Sequence, residues 1–114
     1  MVFLSNHNKP YEILYQDGDN KVIYCEECQA FHVYYGTISL DSTMSSMESL
    51  IYTLAFYLDE YQGKINPKCR CIEIDTPYHG FRLLLSTTDI SQFGEMLAKA
   101  YEKFQKEIWK PRNN

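Results

Sequence analysis

Apolar residues alternate with polar ones in the first part of the chain, then recur every three to four positions in two later stretches. The first pattern predicts half-buried strands and the second amphipathic helices. Residues 11–16 are rich in aromatic and branched side chains and predict a strand. Asp17-Gly18-Asp19-Asn20 is a turn sequence, and residues 22–24 form the return strand. The short polar run 25–29 predicts the next turn. Phe31, Val33 and Tyr35 then share one face, and after Gly36 the phase slips by one, to Ile38 and Leu40. A phase slip at a glycine marks a β-bulge. Residues 30–40 therefore read as one long bulged strand, with a tight hairpin at Tyr35-Gly36 as the alternative.

Met47, Leu50, Ile51, Leu54, Leu58 and Tyr61 fall on one helical face. Ser45 with Glu48 matches a capping box at the start of that helix, and Gly63 and Pro67 bracket its exit. Residues 69–75 and 81–86 predict two short strands around a turn at 76–80. Ile90, Phe93, Leu97, Ala100, Tyr101, Phe104 and Ile108 form the apolar face of a second helix, capped by Thr88 or Asp89 and ended before Pro111.

Two strand–turn–strand–helix units thus follow one another, over 22–61 and 69–109. Sliding one along the other pairs Leu50 with Phe93, Leu54 with Leu97, Leu58 with Tyr101 and Tyr61 with Phe104. This is either a remote duplication or the match that any two amphipathic helices produce. The expected fold is α+β, in the order β-β-β-α-β-β-α. One mostly antiparallel sheet of about five strands carries two helices on one face, as a two-layer sandwich. The first helix, about 16 residues and roughly 24 Å long, returns along the sheet. The strand that begins at Cys69 then starts beside the 25–28 turn and runs parallel to the long strand, by a right-handed crossover.

The 114 residues, 13.4 kDa, are enough for a single domain over 1–114, with flexible termini expected at 1–10 and 111–114. A chain of this length needs neither disulfide nor metal merely to fold. No apolar run approaches the roughly 20 residues of a membrane span, and the N-terminus lacks the apolar stretch of a signal peptide. A cytoplasmic location is expected, with thiols kept reduced. Residues 1–98 hold 6 basic against 13 acidic residues, and residues 99–114 hold 5 against 2. An acidic body with a short basic tail argues against nucleic acid as a partner. Lys99, Lys103, Lys106 and Lys110 form a stripe on the second helix, either a solvated face or a surface for phosphates or an acidic partner. Met96 and Trp109 lie off that helix's apolar stripe, and Tyr34 points away from Phe31 and Val33. An aromatic open face predicts a homo-oligomer or a protein partner.

In a reducing compartment the four cysteines, Cys25, Cys28, Cys69 and Cys71, need a reading other than structural disulfides. Cys-x-x-Cys on a turn lets two thiolates reach one ion, and Cys69 and Cys71 point to one face of a strand. If the sheet is continuous, both pairs meet at one end, as a four-cysteine zinc site. Zinc knuckles usually carry a small residue after the second cysteine, whereas Gln29 follows here. His32 is the alternative ligand to Cys25 and Cys28, although four residues of extended strand would carry it about 10 Å away. Without metal the cysteines are small buried groups. Thiol catalysis is disfavoured, since a strand rather than a helix follows the motif and Glu26 and Glu27 oppose thiolate formation. His79, near Asp75 and Arg82, is either a general base or a solvated turn residue.

The run from Cys25 through His32 to Leu40, together with Leu83-Leu84-Leu85-Ser86 and the helix after it, resembles a family of short uncharacterised bacterial proteins. Its sharp motif is Cys25-x-x-Cys28-x-x-x-His32, and the resemblance implies no activity. The expected function is that of a small interaction or regulatory domain with a zinc staple and no catalysis. The alternative is a thiol- and histidine-dependent enzyme built on the Cys-x-x-Cys turn.

Overall fold

The computed structural model describes residues 11–76 and 79–109, so the expected flexible termini lie outside the described residues. Tyr11–Asp17 (β1), Asn20–Cys25 (β2), Ala30–Tyr35 (β3) and Ile38–Ser42 (β4) pair in chain order as an antiparallel meander. Tyr35 faces Ile38 across a two-residue loop. Gly36 occupies the first loop position with φ 57, and its N–H donates to Asn20 Oδ1 at 2.9 Å. Glycine reaches that conformation without a Cβ clash. The phase slip is thus the hairpin and not a bulge. Residues facing each other across a two-residue loop share a sheet face, which inverts the odd–even alternation. A register shift does occur in β1 between Ile13 and Tyr15, where Leu14 is buried.

The first helix, Met44–Tyr61 (α1), starts at Thr43, whose side chain accepts from the Ser46 N–H at 3.1 Å. This hydroxyl precedes Ser45 and reaches the free N–H groups first, so the expected Ser45 cap lies inside the helix. The second helix, Thr87–Glu107 (α2), is capped by Ser86 in a reciprocal box with Asp89. Asp89 N–H donates to Ser86 Oγ at 3.0 Å and Ser86 N–H to Asp89 Oδ2 at 3.1 Å. Asp89 supplies the returning half of the box, so neither Thr88 nor Asp89 is the cap. Arg70 Nε also donates to Asp89 Oδ2, at 2.9 Å. This guanidinium holds the buried carboxyl below the usual carboxylate range.

The α+β class and both helices are as the pattern predicts; the single sheet is not. Ile72–Asp75 (β5) and Arg82–Leu85 (β6) form a separate two-stranded antiparallel sheet. Each strand has only four residues, and Ile72 and Ile74 on β5 pair with Leu85 and Leu83 on β6 to form one apolar face. That face belongs to the common core, with β6 against α2, and so needs no hydrogen-bonded place in the first sheet. On the first sheet α1 packs over β3 and β4, and α2 over β1 and β2. Between the layers Val22, Phe31, Val33, Met47, Leu54, Phe93, Leu97 and Phe104 are buried. Met96 is only 2% exposed and belongs to this core, so it is not available for association. Tyr34 is half-buried, with the Lys21 ammonium 5.4 Å from its ring centre.

One core contact predicts a pH dependence. Tyr101, at the inner face of α2, donates to Glu48 Oε2 at 2.5 Å. Burial first, and then this carboxylate, push the phenol up from 10.0 to about 12. The unfolded chain releases the proton near pH 10 and the folded chain near 12. Stability should therefore fall as pH rises through that window. Urea midpoints measured across it should converge for wild type and Tyr101→Phe as pH rises. A difference between the two proteins that stays constant with pH would contradict this.

Candidate metal centre

Cys25 pairs with Ala30, so residues 26–29 form the four-residue loop of the β2–β3 hairpin. Gln29 closes the loop with φ 53. A side chain there costs about 1–2 kcal/mol relative to ordinary backbone, and glycine avoids the cost. Gln29 thus adopts the left-handed shape that a small residue supplies after the second cysteine of a zinc knuckle. The loop folds Cys28 back over Cys25, and the Cys28 N–H donates to Cys25 Sγ at 3.2 Å. Cys25 is buried at the end of β2, and Cys28 is exposed.

His32 lies two positions beyond Ala30 on β3, on the sheet face that Cys25 also occupies. The expected distance of about 10 Å along a strand does not apply, because the hairpin brings His32 back diagonally across from Cys25. Diagonal neighbours have backbones about 7–8 Å apart, and long side chains span that gap. The donor atoms of Cys25, Cys28 and His32 all lie within 4.8 Å of one another. His32 is cross-strand partner to Asp41 on β4, and His32 Nδ1 sits 2.7 Å from Asp41 Oδ1. On the other side Tyr11 pairs with Cys25, and its ring centre is 6.3 Å from that of His32.

The cluster crowds anionic groups together. The Cys28 thiol is pushed up to about 11 by its hydrogen bond with Cys25, then by burial and by the charges of Cys25, Glu27 and Asp41. Tyr11 is raised as well, by burial and then by Cys25. Two thiolates share such a space poorly, and a cation between them removes the repulsion. Donors bound tetrahedrally at about 2.0–2.3 Å from zinc stand roughly 3.5–3.8 Å apart. Closing the cluster to that spacing takes about 1 Å of side-chain movement. Cys25, Cys28 and His32 can therefore hold a metal ion with one coordination position left over.

Cys69 and Cys71 do not join this group. They are bonded to each other in the segment before β5, a disulfide outside the expectation of reduced thiols. The strand that follows them, β5, belongs to the second sheet, so the continuous sheet that would have brought them to Cys25 and Cys28 is missing. They flank Arg70, the partner of Asp89. The lysine stripe is engaged locally. Lys99 and Lys106 pair with Glu95 and Glu102, both at 3.2 Å, and Lys103 Nζ donates to the Ile13 carbonyl at 3.4 Å. Lys110 lies outside the described residues. His79 is exposed on its turn, and its neighbours Pro77 and Tyr78 also lie outside the described residues.

Asp41 and Tyr11 are the two site residues that sequence reasoning missed. Asp41 becomes visible only once the hairpin at Gly36 is fixed, since counting back from the Tyr35–Ile38 pair sets His32 opposite Asp41. Comparison of the chain with family models, curated proteins and solved structures finds no match. The site therefore rests on its own geometry. Among the described residues no helix is long and apolar enough to cross a membrane.

Proposed function

We propose that the protein is a small interaction or regulatory domain that binds one zinc ion through Cys25, Cys28 and His32. The observation that carries this reading is the convergence of two cysteine sulfurs and one imidazole within 4.8 Å. Thiolate and imidazole donors together favour zinc over the hard cations magnesium and calcium, which take oxygen ligands. The knuckle-shaped loop and the Cys28 N–H to Cys25 Sγ hydrogen bond support it. The ion would tie β2, its loop and β3 together on the side of the sheet away from the helices. Association with a second copy or another protein belongs to the same reading, as does membership of the bacterial family that the motif resembles.

Three ligands favour a second reading. Zinc with three protein donors keeps a position for water or substrate, as catalytic zinc does. On that reading the same residues serve an enzyme. Purification without added metal distinguishes the site from reduced, metal-free cysteines. One zinc per chain is expected, together with a melting temperature that a chelator lowers. At zinc concentrations 100-fold above Kd the ion adds about 2.7 kcal/mol, so chelation should lower Tm by roughly 10 °C or more. Protein that carries no zinc and takes none up, with an unchanged Tm, would contradict the proposal.

A further inference from the structure

The zinc site described above uses one nitrogen of His32, and the sheet decides which. His32 and Asp41 face each other across the β3–β4 ladder, one from each strand of the hairpin turned by Gly36. Their side chains meet with Nδ1 and Oδ1 2.7 Å apart. A carboxylate only accepts, so the proton of a neutral imidazole is held on Nδ1 and Nε2 keeps its lone pair. The His32 side chain is 22% exposed and that of Asp41 72%. An exposed pair of this kind adds little to the stability of a fold. Its position beside a ligand gives it a different use. Metal-binding histidines nearly always donate their second ring nitrogen to a carboxylate, carbonyl or water, which fixes the ring and makes it a stronger donor.

We propose that Asp41 is the positioning residue of the site: it holds the Nδ1–H of His32 and assigns Nε2 to the zinc ion. This inference rests on the three-ligand reading and adds a fourth residue, from a third strand, that does not touch the metal. The site is then built across β2, β3 and β4. Two thiolates already balance the charge of the ion, so Asp41 acts through the imidazole: by accepting the Nδ1–H it makes Nε2 a stronger donor.

The test uses the full chain and zinc alone as the probe. Long-range proton–nitrogen spectra of His32, recorded at alkaline pH, should show the Nδ1–H tautomer in metal-free wild type and zinc on Nε2 after loading. Asp41→Ala should weaken zinc binding by about 10- to 100-fold, and its metal-free form should lose the tautomer preference. The melting temperature of that metal-free form should match wild type, which separates positioning from a merely structural role. Asp41→Glu should recover part of the affinity. Wild type that binds zinc, with Asp41→Ala binding equally well or with zinc on Nδ1, overturns this inference and leaves the site standing. An equal loss of stability in the metal-free and loaded Asp41→Ala proteins, at unchanged affinity, also overturns it. Wild type that takes up no zinc overturns the site itself and this inference with it.

Discussion

Replacing Phe31 by alanine should cost about 3–5 kcal/mol, the usual loss for a fully buried phenylalanine. Phe31 is 0% exposed and lies at the centre of the layer between sheet and helices. Its ring centre is 5.1 Å from that of Tyr24 on β2 and 4.9 Å from that of Phe104 on α2. Tyr101 lies at 6.2 Å. Removing the ring leaves a cavity bounded by three other rings from two elements, which cannot all collapse into it. Domains of this size are stable by only about 5–15 kcal/mol, so the variant should lose a large share of its margin. Urea unfolding of the metal-free protein reads the loss directly. Phe56→Ala is the control, because Phe56 is 64% exposed on the outer side of α1, and it should change stability by no more than about 0.5 kcal/mol. A loss below about 1.5 kcal/mol for Phe31→Ala would mean that the aromatic cluster is not the core.

The second large effect separates the two cysteine pairs. A four-cysteine site predicts that Cys28→Ser and Cys71→Ser weaken zinc binding alike. The structure predicts that they differ. In the proposed site Cys28 is one of three donors, so its loss should weaken zinc binding by more than the 10- to 100-fold that an outer partner costs, and should abolish the stabilisation by zinc. Cys71 is bonded to Cys69, two residues away. A loop so short restricts the unfolded chain little, so Cys71→Ser should cost less than about 2 kcal/mol and leave zinc affinity unchanged. Calorimetric zinc titration of both variants checks this. Equal losses of affinity would restore the four-cysteine arrangement.

The two helices were legible because their apolar residues repeat over four and more turns, a signal that survives uncertainty at either end. Their caps were less so. Thr43, Ser45 and Ser46 offer competing hydroxyls around the start of α1, and only the backbone decides which one reaches a free N–H. The β3–β4 turn was half legible. The parity change after Tyr35 is the same for a bulge and for a two-residue hairpin, and the pattern could not choose between them. That choice hid the register, and with it the pairing of His32 with Asp41. The split into two sheets left no trace in the pattern, since four-residue strands with one apolar face look alike whether they extend a sheet or form their own. The Cys-x-x-Cys turn was legible as a candidate site. Distance along the strand puts His32 too far from the turn, and only the hairpin pairing brings it back beside Cys25.

X-ray absorption at the zinc edge counts and identifies the atoms around the ion. A site of Cys25, Cys28 and His32 predicts one zinc per chain with two sulfur neighbours near 2.3 Å and one imidazole nitrogen at about 2.0–2.1 Å, the fourth neighbour being a light atom from solvent. Zinc surrounded by four sulfurs, or by oxygen atoms alone, would contradict it.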